Sequence, residues 1–272
     1  MLEKLDLSGR VAIVTGGGTN LGRAMSLALA RAGADVALAA RRRELIEEVA
    51  AEIETAGRRS LAVPTDVTDS ASVERMVERV LSHFGQVDVL LNNAGIVRGE
   101  QPKPLWNITD DEWRLGIDTN LGGAFYCSRA VAKHMVERRK GKIINVASGF
   151  GLRGARNNFM YCCAKGGVIQ LTKSLALTFA GDNIRVNAIV PGFFLQSDSP
   201  MAADAALARQ MGAFIPVGRV GDPRELGPVA VFLASDACPY MTGEIIAVDG
   251  GGLAGGIAPT GLPARFRRGG AR

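Results

Sequence analysis

Tyr161 and Lys165 stand four residues apart in Tyr161-Cys162-Cys163-Ala164-Lys165. On a helix, positions i and i+4 share one face, so a phenol and an ammonium would meet there. A cation beside a phenol stabilises the phenolate, which predicts a tyrosine pKa lowered toward neutrality. A phenol so tuned can give or take a proton at a carbonyl or alcohol oxygen. The same spacing describes many ordinary helix-surface neighbours, so its meaning depends on what the rest of the chain supplies.

The elements that must position this pair alternate along the chain. Short apolar strands are predicted at Val11–Thr15, Asp35–Ala40, Leu61–Val63, Val87–Leu91, Lys142–Val146, Arg185–Val190 and Glu244–Val248. Between them, helices are predicted at Leu21–Ala32, Glu44–Ala56 (ended by Gly57) and Ser70–Phe84. A long helical stretch from Asp110 to Glu137 follows, then the helix of Tyr161 and Lys165, and a last one near Pro223–Ala234. Seven apolar strands alternating with helices imply an α/β fold: one doubly wound, Rossmann-like domain with a parallel sheet covered by helices on both faces. Residues 1–252 form that domain, and residues 253–272 a Gly/Pro/Arg-rich C-terminal tail.

Composition removes several function classes. The chain of 272 residues carries a net charge of +5, but after Asp249 there are four arginines (Arg265, Arg267, Arg268, Arg272) and no acid. Setting those four aside leaves the body near neutral, without the overall basic bias of a nucleic-acid binder. Four cysteines without C-x-x-C spacing and only two histidines argue against a disulfide framework or a metal centre. No apolar run is long enough to span a bilayer and the N-terminal stretch lacks a signal-peptide core, so a reducing cytoplasm is expected.

The first strand runs into Thr15-Gly16-Gly17-Gly18-Thr19-Asn20-Leu21-Gly22-Arg23 and then a helix. Glycines there let the backbone turn sharply and approach a pyrophosphate, and the helix N-terminus offers unpaired N–H groups. Together with Asn92-Asn93-Ala94-Gly95, Asn120, Ser148, Tyr161-x-x-x-Lys165 and Pro191-Gly192, this string resembles the short-chain dehydrogenase/reductase family from about Leu7 to Gly252. The resemblance implies a nicotinamide dinucleotide held by Gly16, Gly18, Asn20, Leu21 and Gly22. It places the adenine near Asp66 and Val67, has Asn92 and Gly95 close the sheet edge over the adenine ribose, and adds Asn93, Ala94, Pro191 and Gly192 to the cofactor-binding set.

The family pattern usually has glycine where this chain has Asn20, and Asn tolerates the positive φ such a turn requires. Asn20 is therefore expected to replace glycine's conformation and add a polar contact. Where NAD-preferring members place an acid at the end of the second strand, this chain has Ala40 followed by Arg41, Arg42 and Arg43. Without a carboxylate to repel a 2′-phosphate, and with a guanidinium to bind it, NADP(H) is expected over NAD(H), Arg41 first and Arg42 second. Thr19 departs from the basic residue that many NADP-binding relatives carry in the loop.

At the chemical end, the resemblance makes Tyr161 the acid or base and Ser148 the group that holds the substrate oxygen. Lys165 lowers the tyrosine pKa, binds the nicotinamide ribose and passes protons onward; Asn120 holds a water linking Lys165 to solvent. Cys162 and Cys163 are read as small packing residues, with a redox-sensitive thiol near Lys165 as the alternative. Pro191-Gly192-Phe193-Phe194 opens the segment that covers the substrate, with Gln196 or Ser197 where Thr is common, and Met201–Met211 as a helical lid. Arg153 and Arg156 could bind a carboxylate or be solvated; both readings stand.

The chain resembles gluconate and other sugar-acid or polyol dehydrogenases, which implies a small polar hydroxy or keto compound as substrate. It also resembles 3-oxoacyl-acyl-carrier-protein reductases, in which basic patches dock the carrier. Arg138 and Arg139 could supply one patch, but Asp182 stands where the second basic residue is expected. A third reading, a catalytically silent NADP(H) sensor or scaffold on the same fold, is set against the joint presence of Ser148, Tyr161, Lys165 and Asn120. Family membership further implies a homotetramer.

Overall fold

The structure is a computed structural model that describes residues 2–96, 104–196 and 204–255. Seven parallel strands form one sheet in the order β3-β2-β1-β4-β5-β6-β7. They are β1 (Val11–Thr15), β2 (Asp35–Ala40), β3 (Ser60–Pro64), β4 (Val89–Asn92), β5 (Gly141–Val146), β6 (Ile184–Pro191) and β7 (Ile245–Val248). The helices are α1 (Asn20–Arg31), α2 (Arg43–Thr55), α3 (Ser70–Phe84), α4 (Asp110–Ile117), α5 (Gly123–Arg138), α6 (Phe159–Phe179), α7 (Ala205–Gly212) and α8 (Gly227–Ala234).

Successive residues of β1 point to opposite faces, and both faces are dry. Ala12 and Val14 join a core built with Met25 and Leu29 of α1, Ile46 of α2 and Leu233 of α8. Val11 and Ile13 join the other core, with Val73 and Val77 of α3 and Val131 and Met135 of α5. This two-sided burial is why the strands read as unbroken apolar runs instead of alternating ones. Strand order reverses at β1, with β2 and β3 on one side and β4 to β7 on the other. A crevice therefore opens beyond the carboxyl ends of β1 and β4.

The predicted helical stretch from Asp110 to Glu137 is one run of helix that changes pitch. Between α4 and α5 a π-helical turn spans Asp118–Gly122. Asn120 lies in it, and its side-chain Nδ2 donates to the Gly116 carbonyl at 3.0 Å. A side chain that takes a helical carbonyl in this way favours a widened turn. Of the expected lid, helix α7 is present from Ala205, capped by Asp204, which accepts from the Ala206 and Leu207 amides. Met201, Ser197 and the tail beyond Gly255 lie outside the described residues.

Asp88 joins three strands at the opposite end of the sheet from the crevice. It is fully buried, accepts from the Val11 amide at 2.9 Å, and pairs with Arg138 at 3.0 Å and Lys140 at 3.3 Å. Burial opposes its charge, but these donors outweigh burial and hold the carboxyl below its usual range. Asp88→Ala would leave a β1 amide without its acceptor and a half-buried guanidinium without its carboxylate. Urea denaturation should show a loss of about 3 kcal/mol, with a smaller loss for Asp88→Asn. A wild-type midpoint in Asp88→Ala would remove this strand clamp.

Candidate active site

Ser148, Tyr161, Lys165 and Asn120 and the cofactor-binding candidates other than Asn92 line a single cleft of about 610 Å³ beyond the ends of β1 and β4. The floor of its phosphate end is the loop from Gly16 to Gly22. Gly16 turns with φ +65°, and a Cβ there would come within 2.9 Å of the Asn93 side chain. A Cβ on Gly22 would overlap the Gly16 carbonyl, so the first turn of α1 can lie against the loop only without one. Asn20 has φ +47°, the left-handed conformation that glycine provides in the family pattern.

Thr19 precedes α1 in extended conformation without a side-chain cap, and the first turn of α1 holds no acid. Its leading amides and dipole are thus directed into the cleft without a side-chain acceptor from Thr19, which suits a pyrophosphate. Arg41 and Arg42 line the same cleft. Arg43 turns away to Glu47 at 3.3 Å, whereas Arg41 and Arg42 form no ion pair among the described residues. Asp66 accepts from the Thr68 amide at 2.9 Å and its hydroxyl at 2.8 Å. Partial burial opposes its charge, but the Thr68 bonds and the nearby Arg41 hold its carboxyl below the usual range.

Asn92 does not reach the cleft, contrary to the sequence expectation. It is buried in β4 and its Nδ2 donates to Asn145 at 2.9 Å, while Asn145 donates to Thr172 at 2.9 Å. The alternation of a strand puts Asn92 on the covered face and leaves Asn93 and Gly95 to the cleft.

The chemical end gathers residues from four elements. Ser148 follows β5, Tyr161 and Lys165 rise from α6, Asn120 sits on the π turn, and Pro191-Gly192 closes β6. Ser148 hydrogen-bonds the Tyr161 phenol. Lys165 is buried and its Nζ donates to the Val146 carbonyl at 2.8 Å, 5.7 Å from the centre of the Tyr161 ring.

The expected lowering of the tyrosine pKa is corrected here. Burial pushes the Tyr161 phenol up, and the Ser148 hydrogen bond, not the lysine, opposes that rise. Lys165 is itself pushed down by burial, to about 8. Its ammonium is held on a main-chain carbonyl rather than at the phenol. A buried cation that is easily discharged is suited to proton transfer.

Asn120 is fixed on both sides: Oδ1 accepts from the Ile96 amide at 3.2 Å, and Nδ2 donates to the Ile96 carbonyl at 3.1 Å. A Cβ on Gly95 would lie 2.7 Å from Asn120 Oδ1 and 3.4 Å from Lys165 Nζ. The bare Cα of Gly95 thus keeps space between the two polar groups.

Three groups at this end gave no sequence signal. The Val146 carbonyl is a backbone atom whose role no residue type announces. Phe150 packs edge-on against Tyr161, ring centres 6.5 Å apart, and looked like any loop aromatic. Leu253, first residue of the expected tail, packs beside Gly149. The two loop arginines separate: Arg153 lines a side cavity beside Ser148, while Arg156 is exposed and lines neither cavity. Arg138 is corrected as a docking residue, because it is spent on the Val87 carbonyl, Gln86 and Asp88. Arg139 binds the Gly181 carbonyl at 2.8 Å and lies 3.7 Å from Asp182. Among the described residues no cluster of His, Cys, Asp or Glu could hold a metal ion, and no helix is long and apolar enough to cross a membrane.

Comparison with known proteins agrees with this layout. Residues 17–252 match a family profile described as enoyl-(acyl carrier protein) reductase. The cis-4-hydroxycyclohexanecarboxylate dehydrogenase of Sinomonas cyclohexanicum is 41% identical over 244 residues, covering 89% of this chain and 96% of that protein. The 3-oxoacyl-acyl-carrier-protein reductase FabG of Thermotoga maritima is 37% identical over 252 residues, covering 90% and 98%. A solved structure from Beutenbergia cavernae, assigned as an NAD(P)-dependent gluconate 5-dehydrogenase with bound NADP at low occupancy, superposes with a TM-score of 0.85. It is 38% identical, with 93% of this chain and 100% of that one covered. With a glycine cradle at a strand-order reversal and a Ser-Tyr-Lys group at its far end, the chain belongs to the short-chain dehydrogenase/reductase family and is an NAD(P)-dependent oxidoreductase of hydroxy and keto compounds.

Proposed function

We propose that the protein interconverts a ketone and a secondary alcohol on a small hydroxy or keto acid, with NADP(H) as cofactor and Tyr161 as the acid or base. The observation that carries this reading is the convergence of buried Ser148, Tyr161 and Lys165 at one end of a cleft whose other end is a phosphate-type cradle. When bound, the nicotinamide supplies or accepts the hydride. Ser148 holds the substrate oxygen against the phenol and stabilises the charge that builds on it. For reduction, Tyr161 gives its proton to that oxygen; for oxidation, it takes the proton of the alcohol. Lys165 replenishes the phenol's proton through the space beside Gly95, where Asn120 can hold a water.

Small hydroxy acids are favoured by the names of two relatives, since 4-hydroxycyclohexanecarboxylate and gluconate both pair a carboxylate with a secondary alcohol. The carrier-linked alternative draws on the FabG relative. Against it stands the engagement of Arg138 by buried Asp88 and of Arg139 by the Gly181 carbonyl and Asp182, an acid where a second basic residue would be needed. A silent NADP(H) sensor would have no need to retain the complete catalytic group. Acetoacetyl thioesters reduced faster than any small keto acid would overturn the choice of substrate class.

Exposed apolar side chains on three helices, Leu115, Phe125 and Leu177, support self-association and, with the family expectation, a homotetramer. Sedimentation should give a four-chain mass; a monomer would remove the assignment. Tyr161→Phe should keep cofactor affinity and lower turnover by about a thousandfold or more; retained turnover would remove the proton-transfer role. Burial raises the phenol pKa, so the base form needed for oxidation fills as pH rises. Alcohol oxidation should therefore climb into the alkaline range while carbonyl reduction, which needs the protonated phenol, declines there. A pH-independent oxidation rate in the chemical step would contradict this.

The cofactor choice rests on Arg41 and Arg42 in place of an acid. Arg41→Ala should reduce kcat/KM for NADPH about tenfold to a hundredfold and spare NADH. A wild-type enzyme that prefers NADH would end the assignment.

A further inference from the structure

Beside Ser148, on the side away from the phosphate cradle, lies a second cavity of about 50 Å³. It shares Ser148, Pro191 and Gly192 with the large cleft, so it continues the reaction chamber. Its walls include Phe150, Phe193, Ile215 and Leu253, with Arg153 as the cationic member. Phe150 is the hinge of this wall: its ring meets Tyr161 edge-on on one side and Phe193 on the other, at 6.5 and 6.2 Å between centres. The Arg153 guanidinium carbon lies 5.3 Å over the same ring.

Arg153 Nε is buried without a hydrogen-bond partner, and no carboxylate pairs with this arginine among the described residues. The carboxylate in the wall, Asp249, is already spent: Oδ1 accepts from the Gly251 amide at 2.9 Å and Oδ2 from the Leu253 amide at 2.7 Å. Asp249 therefore fixes the turn that presents Leu253 and leaves Arg153 to something else. A buried N–H without an acceptor costs free energy that a bound acceptor recovers. A planar guanidinium stacked on an aromatic ring is matched by a carboxylate.

Resting on the reading that Tyr161 and Ser148 act on a secondary alcohol or ketone, we propose that Arg153 is a specificity-determining residue that anchors the substrate's carboxylate. The apolar wall of Phe150, Phe193 and Leu253 then selects a hydrocarbon body, ring or chain, between that carboxylate and the reacting carbon. A polyhydroxylated sugar acid fits this slot poorly, because its hydroxyls would face rings and methyl groups that cannot hydrogen-bond them. The remote carboxylate contact positions the reacting carbon at Ser148 and Tyr161 while taking no part in the chemistry.

The test compares 4-hydroxycyclohexanecarboxylate, cyclohexanol and gluconate with wild-type enzyme, Arg153→Gln and Arg153→Lys. Wild type should favour the ring acid over both others, by about a hundredfold in kcat/KM over cyclohexanol. In Arg153→Gln the ratio of ring acid to cyclohexanol should collapse toward one, through KM and not kcat, with partial recovery in Arg153→Lys. A ratio unmoved by Arg153→Gln, or gluconate preferred over the ring acid, would overturn the proposal. Equilibrium binding of cyclohexanecarboxylate, which carries no alcohol, is the independent arm. If no alcohol is turned over with either nicotinamide, the proposed function fails. Arg153 as anchor then still stands if Arg153→Gln weakens that binding at least about tenfold, and falls if it does not.

Discussion

The Thr15 hydroxyl bridges the two strands whose separation creates the cleft. It accepts from the Asn93 and Ala94 amides at 3.0 Å, and Asn93 returns a hydrogen bond to the Thr15 carbonyl at 3.1 Å and to Gly16 at 3.2 Å. Beyond this point β1 leads to α1 on one face of the sheet, while α5, which follows β4 in the chain, packs on the other. A crevice at a strand-order reversal is a consequence of topology, but its shape depends on how the loop ends are held. Here one hydroxyl and one amide hold them. The left-handed turn at Gly16, the close approach of Gly22 and the direction of α1 all depend on that clamp.

The chemical end is built on buried polarity that the fold must satisfy internally. Asn92, Asn145 and Thr172 link β4, β5 and α6 through side chains inside an otherwise apolar layer, and Thr172 donates in turn to the Val168 carbonyl at 2.8 Å. Such a chain is costly to leave half-made, so it fixes the register of α6 against the sheet. That register carries Tyr161 to Ser148 and Lys165 to the Val146 carbonyl. Helix α6 also admits a close neighbour: a Cβ on Gly116 would overlap the Met160 side chain, so α4 can pack there only with glycine. The π turn that follows α4 places Asn120 beside Gly95. Substrate-side geometry, cofactor-side geometry and proton path thus share one helix as their common reference.

Electrostatics at this centre follow burial more than pairing. Tyr161 and Lys165 both lose solvent, and each is displaced toward its neutral form. The two shifts act in opposite directions on the pKa scale and carry the pair apart, the phenol above its usual value and the ammonium down to about 8. A proton therefore passes more readily from the Lys165 ammonium to a Tyr161 phenolate than it would between the free groups. The aromatic wall around Phe150 contributes to that dryness on one side, and the sheet ends on the other.

Residue identity and order determined much of this protein. The strand–helix alternation, the glycine loop, the Tyr-x-x-x-Lys pair and the missing acid after β2 are local patterns, and local patterns survive without coordinates. Asn20 is an instance: its tolerance of positive φ is a property of the residue, and the backbone there does adopt it. Tertiary structure decided whatever depends on which face a side chain takes or which distant atom it meets. Asn92 and Asn93 are adjacent and alike in type, yet the strand's alternation sends one into the core and the other to the cleft. Arg153 and Arg156 are three apart in one loop, yet only Arg153 faces the reaction chamber. Arg138 was an available charge until Asp88, fifty residues earlier, claimed it. Lys165 was expected at the phenol, and a main-chain carbonyl on β5 holds it instead. Spacing specifies neighbours along a helix, whereas burial and long-range partners exist only once the chain has closed on itself.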